Sequence, residues 1–325
     1  MNLVTNYMGL TLAHPLIVGA SPLTDDLDMV RRLEDAGAAA FVLHSLYEEQ
    51  ITNEQMSSFF NSESYADSFS EASSYLPEPD LGPGPDEYLE HVRHVKEAVN
   101  VPVIASLNGS SLSGWLSYAR LMEEAGADAI ELHLYHAASD PDTSAAEVER
   151  KMVEIVKQVK GEVQVPVAVK LSALFTAFAN FATQIDKAGA DAIVLFTRFH
   201  KVDFDVVELE VLRRVELSTS SDLDLRLRGI AALAGRVNAS LAITGGVHTA
   251  VDVIKGTMAG AHALQLVSAL LRNGPGCLKA VLKELEAWMI ANEWSSLNEM
   301  RGNMSFSRIP NPAVYERETF RRMFQ

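Results

Sequence analysis

The chain has 325 residues, 48% apolar and 22% charged, which is ordinary for a soluble globular protein and leaves ample side chain for a large core. Its formal net charge of −16 repels nucleic acid and anionic membranes, so an anionic ligand would need a local positive site. The lone cysteine, Cys277, excludes an internal disulfide, a cysteine-based metal centre and an iron–sulfur cluster, and fits a reducing, cytoplasmic setting. No apolar run reaches about 18 residues, and the first twenty residues lack a signal peptide's basic and apolar regions.

Taken in order, the apolar runs predict strands near 16–20, 40–45, 102–107, 129–135, 166–171, 192–198, 241–245 and 263–267. Helical patterns fall at 25–36, 86–99, 112–125, 144–160, 177–188, 225–236, 249–258 and 275–292. Eight strands alternating with eight helices predict an α/β fold, a (β/α)8 TIM barrel filling residues 1–325 as one domain. A doubly wound open sheet is the alternative, but even spacing favours closure. Residues 3–12 read as a hairpin plugging the barrel floor. One phrase recurs as EDAGAAAFVL (34–43), EEAGADAIEL (123–132), DKAGADAIVL (186–195) and MAGAHALQL (258–266). Each has a Gly where a helix ends, then a buried strand. Two other strands open on Pro, in VPVIASLN (101–108) and VPVAVKL (165–171), where it costs no ladder bond.

Two segments break the rhythm. Residues 46–85 are Ser- and Glu-rich, yet carry Phe59, Phe60, Tyr65, Phe69 and Tyr75. They follow a strand, so they lie on the catalytic face as a lid or a surface insertion. Residues 199–223 include VDFDVVELEVL, a candidate small hairpin on the same face.

Barrels carry their chemistry at the C-terminal ends of strands. Gly245 and Gly246 leave the seventh strand, and Ser268 ends the eighth. Strands seven and eight are where barrels commonly hold phosphate, so these residues are candidates for it; the alternative is a tight turn. Lys170 sits in the apolar strand PVAVKLS, where the alternation puts it on or near the barrel-interior face; the alternative is an edge lysine reaching out to solvent. An interior lysine needs an anionic partner, and a bound anionic cofactor would supply one. The fourth strand runs out into His133, Tyr135 and His136. An imidazole at a barrel mouth suits acid–base work. His133 and His136 face opposite ways on a strand, which argues against a metal site.

In GLTLAHPLIVGAS, VPVIASLNGSS, GADAIEL, VPVAVKLS, LRLRGIAAL, LAITGGVHTAVDVIKGTMAGAHALQLVSALL and LKELEAWMIANEW, the chain resembles the dihydroorotate dehydrogenase family, particularly its class 1 type. The resemblance spans nearly the whole sequence and implies FMN. Gly245, Gly246 and Ser268 would take its phosphate, Ala20, Ser21 and Ser45 would lie along the flavin, and Lys170 would sit at the N1–O2 edge, where reduction builds negative charge. It also implies hydride transfer to flavin N5, an external electron acceptor and a homodimer, while the net charge and the lack of a long apolar run argue against nucleic-acid and membrane partners.

The substrate half departs from the family. Its fourth strand ends as Glu-Leu-Asn-x-Ser-Cys-Pro-Asn, where the asparagines hold orotate and the cysteine is the base. Here the same stretch reads Glu131-Leu132-His133-Leu134-Tyr135-His136-Ala137-Ala138. His133 takes the place of the first asparagine, Ala138 of the second and His136 of the base. The second strand's Lys-Ser becomes His44-Ser45, and an asparagine on the sixth becomes Thr197. His136 is therefore the candidate base, with His44, Asn108, His133, Tyr135 and Thr197 as substrate contacts. Each lost amide costs roughly 1–3 kcal/mol when its partner is left unpaired, which argues against dihydroorotate and with it against a role in pyrimidine biosynthesis. Two readings compete: a non-redox barrel that binds a sugar phosphate, and a non-catalytic relative that keeps FMN.

Overall fold

The computed structural model describes residues 1–53, 84–112, 114–135, 139–197, 202–213 and 216–311. Strands β1 (Thr5–Tyr7) and β2 (Leu10–Leu12) form an antiparallel hairpin. Next come β3 (Leu16–Val18), α1 (Leu27–Asp35), β4 (Phe41–Tyr47), α2 (Pro85–Ala98), β5 (Val103–Gly109), α3 (Tyr118–Glu124), β6 (Ala129–Leu134) and α4 (Ala145–Glu162). They are followed by β7 (Val167–Leu171), α5 (Phe178–Lys187), β8 (Ala192–Leu195), β9 (Val202–Asp205), β10 (Glu210–Arg213) and α6 (Leu223–Leu233). The chain ends with β11 (Ser240–Thr244), α7 (Ala250–Ala259), β12 (Ala263–Leu266), α8 (Ser268–Asn273), α9 (Cys277–Ala291) and α10 (Leu297–Met300).

Eight strands close in the order β11-β12-β3-β4-β5-β6-β7-β8, all parallel, with helices between them. This is the expected TIM barrel. The hairpins expected at 3–12 and within 199–223 are both present, as β1–β2 and β9–β10. Two helices differ from expectation. Residues 114–117 form a 3-10 turn, so α3 begins only at Tyr118. A short helix, α8, begins at Ser268 and stops at Gly274, which has φ +72° and is followed by Pro275. The expected lid falls largely on residues 54–83, outside the described residues.

The recurring phrase works as a joint. Gly37, Gly126, Gly189 and Gly260 end helices with φ of +97°, +98°, +102° and +128°, a region that penalises any Cβ. Two residues after Gly126 and Gly189, an aspartate locks the preceding strand to its helix. Asp128 accepts from Val103 N (2.7 Å) and Lys96 Nζ (2.6 Å), and Asp191 from Val167 N (2.8 Å) and Lys160 Nζ (2.7 Å). In the last repeat a histidine takes over, and His262 Nδ1 accepts from Leu241 N at 3.0 Å.

Small residues line the barrel's lower interior: Ala40, Ala129, Ala168, Ala192, Ala242 and Ala263, with Ile17, Val42, Ile104 and Val194. Tyr7, Met8 and Leu12 of the hairpin fill the space the alanines leave. The opposite face of each strand packs against the helices in a larger apolar cluster. The alternation that buries Val167, Val169 and Leu171 outward turns Ala168 and Lys170 inward.

Candidate active site

Lys170 lies in the barrel interior, 9% exposed, with Nζ 3.0 Å from Glu131 Oε1 on β6. Glu131 is 1% exposed, and its second oxygen accepts from Gln265 Nε2 on β12. The side-chain oxygen of Gln265, Oε1, is buried and has no hydrogen-bond partner. Beneath them, burial first and the Glu131 charge second hold the Tyr7 phenol well above its usual value. The expected anionic partner of Lys170 is thus part of the protein. The signal was strand parity: Glu131 and Lys170 both point inward on adjacent strands.

Above this layer lies a pocket of about 170 Å³, lined by Tyr47, Glu49, Asn108, Gly109, Ser110, His133, Tyr135 and Thr197. Four of the five expected substrate contacts meet here. His133 is the register partner of Lys170. Its Nδ1 lies 2.9 Å from Asn108 Nδ2 and its Nε2 lies 2.6 Å from Thr197 Oγ1. The Tyr135 ring sits 6.4 Å from the imidazole.

His44, the fifth, lies elsewhere. The β4–β5 register shifts between Val42 and Ser45, a bulge that re-aims the strand. His44 pairs through Nδ1 with Asp25 Oδ1 at 2.5 Å and stacks on His91 at 5.9 Å. It lines a second pocket of about 440 Å³, with Asp25, Ser45, Tyr47, Gln50, Glu87, Tyr88 and His91. Tyr47 borders both pockets. Ser45, expected along the cofactor, exchanges a hydrogen bond with Ser106 Oγ at 2.8 Å. His136, the candidate base, lies outside the described residues.

Gly245 and Gly246 leave β11 with φ of +82° each. Ser218 connects the expected phosphate residues. Its Oγ accepts from Gly246 N (3.2 Å) and faces His248 Nε2 (3.1 Å), and its N donates to Ser268 Oγ (3.0 Å). Arg272 donates to Ser218 O at 2.7 Å. Close packing also demands both glycines. A Cβ on Gly246 would stand 2.5 Å from Leu223 N, and one on Gly245 would stand 3.0 Å from the Arg226 guanidinium. Arg226, 6% exposed, joins the ends of β8 and β11 by donating to Phe196 O (3.0 Å) and Thr244 O. Ser21 follows β3 and donates to Gly19 O at 3.1 Å, and Ala20 packs on the lower interior cluster. Nothing in the local sequence marks Ser218, His248 or Arg226 as site residues. Arg226 lies in the quoted LRLRGIAAL, where its helical setting gave no sign that it reaches back to two strand ends.

Amide, hydroxyl and imidazole donors around Ser218 suit a phosphate, and a buried ammonium suits a ring that gains negative charge, so the donor set fits FMN. Among the described residues, no three His, Cys, Asp or Glu side chains are grouped to hold a metal. No helix among them is long and apolar enough to cross a membrane.

Fold and site together define a closed parallel (β/α)8 barrel whose strand ends carry a buried ammonium and a cluster of amide and hydroxyl donors. The sequence profile for dihydroorotate dehydrogenase matches residues 81–289, and the chain belongs to the dihydroorotate dehydrogenase family. It is 25% identical over 312 residues to the catalytic subunit of dihydroorotate dehydrogenase B (NAD(+)) from Thermoplasma acidophilum, covering 93% of this chain and 98% of that one. The protein of the same description from Methanothermobacter thermautotrophicus is 26% identical over 92% of this chain and 97% of its own. That from Methanocella arvoryzae is 28% identical over 83% and 87%.

Proposed function

We propose that the protein is an FMN-dependent oxidoreductase that exchanges a hydride between a CH–CH group of a small substrate and the flavin, and that dihydroorotate is not its preferred substrate. The observation that carries this reading is the pocket of Asn108, His133, Tyr135 and Thr197, in which His133 is the register partner of the buried Lys170. When bound, FMN supplies the two-electron acceptor. Gly246, Ser218 and Ser268 would hold its phosphate, with Gly245 shaping the turn. Ala20, Ser21 and Ser45 would border the ring, and Lys170 would stabilise the charge that reduction adds. His133 fixes the substrate through the Asn108–His133–Thr197 chain, and Tyr135 closes one side. His136 takes the substrate proton. An external electron acceptor would be needed to complete the cycle.

The dihydroorotate argument rests on matched donors. A site that binds a ring through amide side chains loses roughly 1–3 kcal/mol for each unmatched group, and here three of the family's amide positions carry His133, Ala138 and Thr197. The test is the visible spectrum of the purified protein, then anaerobic addition of dihydroorotate. Flavin bands that persist after dihydroorotate are expected. A protein colourless even after reconstitution with FMN would overturn the oxidoreductase reading in favour of a sugar-phosphate barrel. Rapid bleaching would overturn the substrate argument alone.

A further inference from the structure

We propose that Glu131 is a positioning residue that sets the redox poise of the cofactor site, by holding the Lys170 ammonium in place and offsetting its charge. The inference rests on the FMN reading above. The Lys170–Glu131 pair is 3.0 Å apart and almost wholly buried, so bulk water and salt screen it little. Glu131 lies two residues before His133, the register partner of Lys170, so its carboxylate belongs to the layer beneath the mouth. Gln265 holds its other oxygen, which fixes the carboxylate independently of any ligand. The lysine therefore meets the cofactor as the positive end of a fixed ion pair, not as a bare cation.

The electrostatics give the direction of the effect. Two-electron reduction places negative charge on the flavin ring. A cation beside that charge favours the reduced state, and a carboxylate at ion-pair distance from the cation opposes it. Glu131→Gln keeps an acceptor for Lys170 and nearly the same shape while removing the opposing charge. Lys170→Met removes the cation and acts in the opposite direction.

The experiment is an equilibrium redox titration of the full-length, FMN-loaded chain against a reference dye. For E131Q the ratio of reduced to oxidised flavin at a fixed ambient potential should rise at least tenfold, about 30 mV for a two-electron couple. For K170M it should fall. Glu131→Asp keeps the buried charge but draws the carboxylate back, so it should shift the flavin in the same direction as E131Q and by less. If E131Q does not fold, E131D carries the test. A yellow protein whose potential is the same in wild type and in the Glu131 variant that folds would overturn this inference and leave the proposed function standing. A wild type that takes up no FMN would overturn both.

Discussion

His133 is held from both sides. The Asn108 amide nitrogen lies at Nδ1 and the Thr197 hydroxyl at Nε2, so both ring nitrogens are engaged and the ring orientation is fixed. Restoring amides with His133→Asn and Thr197→Asn should raise the rate of flavin reduction by dihydroorotate at least about tenfold, the weight of one recovered hydrogen bond. Anaerobic stopped-flow mixing reads this directly. The buried ion pair makes a separate prediction for stability. Lys170→Met alone strands a carboxylate in the barrel and should cost about 3–5 kcal/mol, whereas Lys170→Met with Glu131→Gln should recover most of that. Urea unfolding of the three proteins decides it. At this scale the sequence was legible through strand position and the family resemblance together: Asn108, His133, Tyr135 and Thr197 each end a strand, and His133 and Thr197 stand where the family has asparagines. His44 was misplaced because a bulge is silent in a sequence with no Gly or Pro to mark it.

Among the elements, the repeated joint was legible as a glycine followed by a small residue, but its aspartate was not. Asp128 and Asp191 read as ordinary polar starts to buried strands, yet each ties a strand amide to a lysine on the preceding helix. Asp191→Asn should cost about 1–3 kcal/mol, measurable as a lower urea midpoint with unchanged slope. His262 performs the aspartate's task as a neutral acceptor. Burial, and then the charge of Arg301, lower its pKa from 6.5 to about 4. Because the folded value lies below the unfolded one, the unfolded chain takes up this proton first as pH falls. The stabilisation is therefore full above about 6.5 and is lost as pH drops from about 6.5 to about 4. The loss has a ceiling of about 3 kcal/mol at about 1.4 kcal/mol per unit. His262→Asn keeps an acceptor and does not titrate, so the difference between the wild-type and variant stability–pH curves should be confined to that window.

For the whole molecule, the barrel was legible because eight buried runs of similar length alternate with eight amphipathic ones. The way the barrel is filled was less so. Six alanines facing inward would leave a void; the sequence offers the 3–12 hairpin as its plug, and the structure shows that Tyr7, Met8 and Leu12 are the side chains that fill it. Tyr7→Ala should cost about 3–5 kcal/mol and lower the thermal midpoint by several degrees, read by calorimetry. The tie from Arg226 to two strand ends likewise has no counterpart in local sequence, because both acceptors are backbone carbonyls whose position depends on the closed sheet.

Closure of that sheet joins β3 to β12, pairing Leu16 with Leu264 and Val18 with Leu266. On the ribosome, β3 waits with a bare edge for about 250 residues of synthesis before its second neighbour exists, as the separation of those partners dictates. Exposed parallel edges are sticky, so the nascent chain is at its most aggregation-prone late in translation. Slowing elongation upstream of β12 would lengthen that exposure, whereas an added hairpin of Lys-rich sequence on the β3 side would shorten the reach of any intruding strand.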